Sequence, residues 1–295
     1  MTLWQTLLDP FGYEFFVKGL AAAVLAGALC GLIGVFVTLR GMSYIGHGLS
    51  HAIFGGYAAA PLIGVPILLG AGLWGLASAL AINAVARSRR IGADAAIGVV
   101  TTASFALGVA LLTRFGNQGP SFDALLFGSI NGVSRSDLLL LTGALVFAVL
   151  VFTVGYRAFL FSSFDPEVAD VSGVSVRRTE AMLMVVLSLS ILATLQIIGV
   201  TLVAATLVIP AVVARMACDS FSRMLWISTS LGAAAGAVGM YLSFQLEIPS
   251  GTTIVLVNAL AFLVVLVVTG GRALRRTAGL DDHAATPAPL VAAGR

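Results

Sequence analysis

Two histidines, His47 and His51, stand out as the residues best able to do chemistry in the string RGMSYIGHGLSHAIFGGY. Four residues apart on a helix they stack on one face, about 6 Å apart at the backbone, so one cation can meet both imidazoles. They follow Arg40 and, at the helical rise, lie roughly 10 and 17 Å into a bilayer measured from that arginine. Ionisable groups at such depth are rare and mark cavities or ion pathways. The alternative is a structural pair bonded to carbonyls of neighbouring helices. Two imidazoles make half of a tetrahedral site. A two-fold homodimer with this helix on its axis supplies four nitrogens at about 2.0 to 2.1 Å, a set suited to zinc. Otherwise each pair is completed by water or by Ser43 or Ser50. Imidazole suits zinc, copper, iron and nickel, whereas manganese prefers more carboxylate and water oxygen. The donors therefore lean toward zinc and leave manganese open. Gly46, Gly48, Gly55 and Gly56 leave room for a neighbouring helix or an ion.

Other chemistry is missing. Lys18, in FFVKGL, is the only lysine, so there is no G-x-x-x-x-G-K-[ST] phosphate loop and the chain cannot hydrolyse ATP by itself. HExxH, GxSxG and Cys–His nucleophile patterns are also absent, and an enzyme is not expected. The 13 acids fall at the ends of apolar runs or between them, which disfavours a carrier driven through mid-membrane carboxylates. Cys30 and Cys218 have neither redox nor zinc-finger spacing, and no disulfide is expected.

The elements that must position the histidines are apolar. The 295 residues are 59% hydrophobic and 10% charged, with a mean hydropathy of +1.05, against roughly 25% charged in a soluble domain. This excludes a soluble protein and gives an all-α polytopic chain in a lipid bilayer. No basic region precedes the first apolar stretch, so no cleaved signal peptide is expected. The net charge of +3 speaks for topology, with no nucleic-acid partner. Cutting at Pro, Gly and charge clusters leaves nine candidate spans: 15–39, 42–63, 65–86, 93–112, 137–156, 181–199, 200–217, 224–244 and 252–271. The turns at Gly64 and Gly199 are tight enough to be bends or half-helices, so about eight to nine helices are expected. Thirteen of the 16 basic residues, the Arg87 to Arg90 cluster among them, fall on the side of the C-terminal tail, against Lys18, Arg114 and Arg135 on the other. The positive-inside rule then puts the tail in the cytoplasm of a multi-pass cell-membrane protein. Residues 1–276 form the transmembrane domain. The tail, 277–295, carries two prolines and no apolar period, and reads as disordered, with His283 given no metal role.

Three further features complete the pattern. Residues 113–136 are Gly-rich and read as a re-entrant or interfacial piece. Residues 158–180 form a cytoplasmic segment in which Ser163 and Asp165 precede Pro166 and Glu167, a helix-start signal that Gly173 ends after about two turns. Such a short capped helix between spans is suited to docking a partner. Gly27 with Gly31, and Gly232 with Gly236, form GxxxG pairs that let helix backbones approach.

The string LRGMSYIGHGLSHAIFGG resembles the pattern of a basic residue, Met-Ser, Gly-Asp and Ser-His-Ala in permease subunits of metal-type ABC importers for manganese, zinc and iron. ADAAIGVVTTASFALGVALL, LLFGSINGVSRSDLLLL, SFDPEVADVSGVSVRRTE, QIIGVTLVAATLVIPAVVAR and EIPSGTTIVLV continue the likeness in order over roughly residues 14–270. The resemblance implies a type II importer fold, similar to cobalamin and siderophore permeases. It implies a homodimer working with two cytoplasmic ABC ATPase subunits and an extracytoplasmic metal-binding protein, carrying a divalent metal and holding no permanent cofactor. It makes Asp165, Pro166, Glu167, Asp170, Gly173, Arg177 and Arg178 the segment that couples to the ATPase. The family usually has Asp at the place of His47 and His at that of His51, so a metal-contacting role passes directly to His51 and by position alone to His47. That exchange removes a hard oxygen and points to zinc or another borderline metal. A siderophore or metal-chelate permease, and an ATP-independent divalent-cation carrier, are the competing expectations.

Overall fold

The computed structural model describes residues 9–86, 92–115, 128 and 133–284. After a 3-10 turn at Asp9–Gly12 come α1 (Glu14–Leu39), α2 (Ile45–Ala59), a 3-10 turn at Ala60–Ile63, α3 (Ile67–Ala86), α4 (Ala93–Phe115) and α5 (Arg135–Val154). The chain continues through α6 (Tyr156–Phe164), α7 (Pro166–Val171), α8 (Val176–Ile198), α9 (Val203–Ala217), α10 (Phe221–Leu246) and α11 (Ser250–Ala284). No strand occurs among the described residues. In lipid every backbone N–H and C=O must be paired within its own segment, and runs this apolar satisfy them as helices.

Among the described residues seven helices are long and apolar enough to cross a membrane: α1, α3, α4, α5, α8, α10 and α11. The other two expected spans are shorter. Span 42–63 contracts to α2, of 15 residues, because Gly41 takes a left-handed φ of +68° before it and Pro61 sits in the 3-10 turn after it. Span 200–217 contracts to α9, also 15 residues, because the chain breaks at Gly199 with φ +86°. Each reaches only about 22 Å. Gly64, with φ +70°, closes a true turn between α2 and α3.

Burial orders the bundle. In the apolar windows of α1 and α8, 72% and 67% of residues are buried, against 17% in α4 and 22% in α5 and α11. α1 and α8 are therefore the central helices, and the others turn apolar faces outward, as lipid-facing helices do. One side of the bundle is knit by α1, α9, α10 and α11, and another by α2, α3 and α4, with α8 touching both. α1 and α10 cross at a ladder of small residues. Gly27 lies against the Gly232 carbonyl, Gly31 against that of Ser228, and Gly236 against that of Ala23. Ser228 Oγ donates to the Gly31 carbonyl at 2.6 Å across the same contact.

The structure adds detail to the expected connecting segments. The short helix α7 has six residues, less than the two turns expected, and of the two cap candidates, Ser163 and Asp165, it is Asp165 that caps it, accepting from the Val168 N–H at 2.9 Å. Ser163 belongs instead to α6, which starts afresh after Gly155. α11 runs to Ala284, eight residues into the stretch 277–295 read as disordered. Extending a helix already formed costs little per residue, and Pro287 is the first breaker after it. Residues 285–295, and most of the expected re-entrant piece at 113–136, lie outside the described residues. Cys30 and Cys218 are both free thiols.

Candidate metal pathway

α2 carries the histidines, and its glycines settle how it is held. Gly48 packs on Ile97 and Thr101 of α4, while Gly55 and Gly56 fit against Trp74 of α3. The room left by small residues is thus filled by α3 and α4 of the same chain. The imidazoles lie beside the α4 contact, on the edge of α2 where Gly48, Thr101 and Phe105 line the same cavity. His47 is exposed and His51 half-buried, with ring centroids 4.3 Å apart, and His51 stands 5.2 Å from the Phe105 ring.

The geometry fixes a tautomer. His51 Nδ1 lies 3.0 Å from the His47 carbonyl oxygen, and a carbonyl only accepts, so Nδ1 carries the proton and donates it. Nε2 then keeps its lone pair and is free to accept. A second hydrogen bond of this kind is what orients metal-binding histidines elsewhere. Ser50 does a different task from the one its position suggested. Its hydroxyl reaches the Val200 carbonyl at 2.8 Å and the His47 carbonyl at 2.9 Å. It is wholly buried and does not line the cavity in front of the histidines. Neither does Ser43. So Ser50 ties α2 to the broken segment between α8 and α9, where Ser250 Oγ likewise donates to the Ile197 carbonyl at 3.1 Å.

The cavity, about 450 Å³ and open to one side, has two walls. α2 contributes Tyr44, His47 and His51, and α4 contributes Asp94, Thr101 and Phe105. Among the described residues no group of three or more His, Cys, Asp or Glu comes together closely enough to hold a metal. Among the described residues the cavity thus offers a cation two imidazole nitrogens from α2. Sequence reading missed the α4 wall. Its signals were an acid, Asp94, opening an apolar run, and the run's likeness to the family segment.

The residues expected to couple to an ATPase gather around α7 and the start of α8. Glu167 and Asp170 are exposed on α7, Gly173 with φ +82° ends it, and Arg177 and Arg178 are exposed on the first turn of α8. Sequence reading also missed Arg40. Its Nη2 donates to Ser162 Oγ at 2.7 Å and its Nε to Ser163 Oγ at 3.2 Å, joining the end of α1 to α6 across more than 120 residues. Burial pulls the Arg40 pKa below its ordinary value, and the negative charge of Glu180 works against that pull. Beside it Phe36 stacks on Phe152 at 4.0 Å and meets Phe159 and Phe221 edge-on.

The chain matches the ABC 3 transport family over residues 12–269 and belongs to it. The manganese transport system membrane protein MntC of Halalkalibacterium halodurans is 38% identical, over 85% of this chain and 86% of that one. The chelated iron transport system membrane protein YfeD of Yersinia pestis is 32% identical, over 90% and 89%. Among solved structures, PsaBC from Streptococcus pneumoniae in complex with Fab superposes with a TM-score of 0.80 at 29% identity, covering 90% of this chain and 95% of that one. The all-α ABC permease fold implied by the motifs is the fold found.

Proposed function

We propose that this chain is the permease of an ATP-driven importer that moves a divalent transition metal across the cell membrane, with zinc the favoured cargo. The observation that carries the reading is the His47–His51 pair, two imidazoles 4.3 Å apart at the edge of a cavity, with Nε2 of His51 freed by its own helix. Membership of the ABC 3 transport family supports a partner ATPase over an ATP-independent carrier, since the chain has no phosphate loop of its own. The exposed segment from Asp165 to Arg178 is the surface proposed to dock that ATPase, and an extracytoplasmic metal-binding protein delivers the ion. Two copies facing each other complete the four-nitrogen set. The arginine distribution supports a cytoplasmic side for α7 and the C-terminus.

Relatives named for manganese and iron transport favour a second reading for the cargo. The nitrogen pair favours zinc over manganese because imidazole is the softer donor. Metal analysis of the purified protein after equilibration with zinc, manganese and iron separates the two. Zinc retained by the native chain and lost in both His47→Ala and His51→Ala supports the zinc reading. Equal retention of all three metals in both variants would reduce the pair to a structural role. Uptake of free against chelated metal by the reconstituted transporter tests the chelate alternative.

A further inference from the structure

We propose that Asp94, on the α4 wall of the cavity, is a second cation station: a carboxylate ligand that takes a divalent metal from the histidines on its way out of the pathway. The inference rests on the metal-import reading above and adds a residue to it. The register of α2 on α4 carries it. Position 48 sits against 97 and 101, and position 55 against Ser104 and Gly108, so the two helices run parallel. Position 48 is level with the midpoint of 97 and 101, and 55 with the midpoint of 104 and 108. The same offset sets Asp94 level with position 43, one helical turn before His47. Along the cavity the donors therefore descend in the order His51, His47, Asp94, in steps of about 6 Å. The end of the series is the end of α2 nearest Arg40.

Two further observations agree. Asp94 is exposed to the cavity and makes no ion pair among the described residues. Thr101, on the same wall, has a buried hydroxyl oxygen without a hydrogen-bond partner, although it lines the same cavity. Thr102 beside it donates back to the Gly98 carbonyl. The cavity walls are largely apolar, so an orphaned hydroxyl there is one of the few partners a metal-borne water can find. The three donors do not converge on one point, so the ion is handed along them. Passing from nitrogen to carboxylate oxygen moves a borderline ion to a harder donor and back toward its hydrated state. A carboxylate in the first turn of α4 is also favoured by the helix dipole, and the test must tell that structural role from ligation.

The experiment uses the complete reconstituted transporter, with Asp94→Asn, which keeps the shape, and Asp94→Glu, which keeps the charge. Metal bound per purified dimer and zinc and manganese uptake are all measured. Expected for Asp94→Asn is unchanged bound metal and thermal stability, uptake lowered about tenfold, and a zinc-to-manganese uptake ratio shifted toward zinc; Asp94→Glu restores both rate and ratio. Native uptake rate and ratio in Asp94→Asn overturn the proposal. So does an equal loss of bound metal, stability and uptake in both variants, which marks a purely structural acid. Failure of the import reading shows separately, as a native transporter that binds and moves neither metal.

Discussion

The His47 carbonyl oxygen accepts from His51 Nδ1 and lies within reach of Ser50 Oγ, and this one atom decides which nitrogen is offered to a metal. Ser50→Ala leaves the buried Val200 carbonyl without its donor, at a cost of about 1 to 3 kcal/mol. Thermal denaturation of the purified protein is expected to show the loss, with bound zinc unchanged. Loss of zinc at unchanged melting temperature would make Ser50 a ligand after all. The pairing of His47 with His51 was legible from a spacing of four. The use of Ser50 was not, because its partner carbonyl lies 150 residues away, and no local pattern records which helix a hydroxyl will face. The same holds for Asp94, whose relation to position 43 exists only once α2 and α4 are packed.

At the level of helices, apolar run length gave five of the seven long spans to within a turn, since lipid leaves such runs no other way to pair their backbones; α8 starts five residues earlier and α11 runs thirteen further than the apolar runs do. It overestimated α2 and α9, where a glycine of positive φ and a proline act on the chain while the residues stay apolar. It also missed the restart at Gly155, hidden inside one continuous apolar stretch. The GxxxG spacing identified small faces and left open what they touch. With α1 against α10 that is now a specific contact, and it yields a paired test. Gly27→Ala or Gly232→Ala drives a methyl into the opposite carbonyl and is expected to cost about 1 to 3 kcal/mol. Gly143→Ala in α5 meets open space and is expected to hold or raise stability by up to about 1 kcal/mol through helix propensity. Melting temperatures in one detergent check all three, and equal behaviour would remove the close contact as a source of stability.

Across the whole molecule, Arg40 connects the proposed docking end to the proposed metal path. It holds Ser162 and Ser163 on α6, one helix before α7, and it precedes Gly41, whose positive φ begins the turn into α2. A displacement of α6 therefore reaches the histidine helix through one side chain and one turn. Arg40→Lys keeps the charge and loses the two-pronged donation. Expected is near-native ATP hydrolysis by the reconstituted transporter with metal moved per ATP reduced at least about fivefold. Ser162→Ala with Ser163→Ala should reproduce it, and native stoichiometry in both would cut Arg40 out of the coupling. The ladder between α1 and α10 sets what can move in response. Its rungs at Ala23, Gly27 and Gly31 face Gly236, Gly232 and Ser228 with backbone on backbone, so a slide by even part of a turn would drive carbonyls into one another three times over. That pair acts as a keel: it can be carried along but cannot shear, so any rearrangement around the cavity formed by α2 and α4 has to take place outside it.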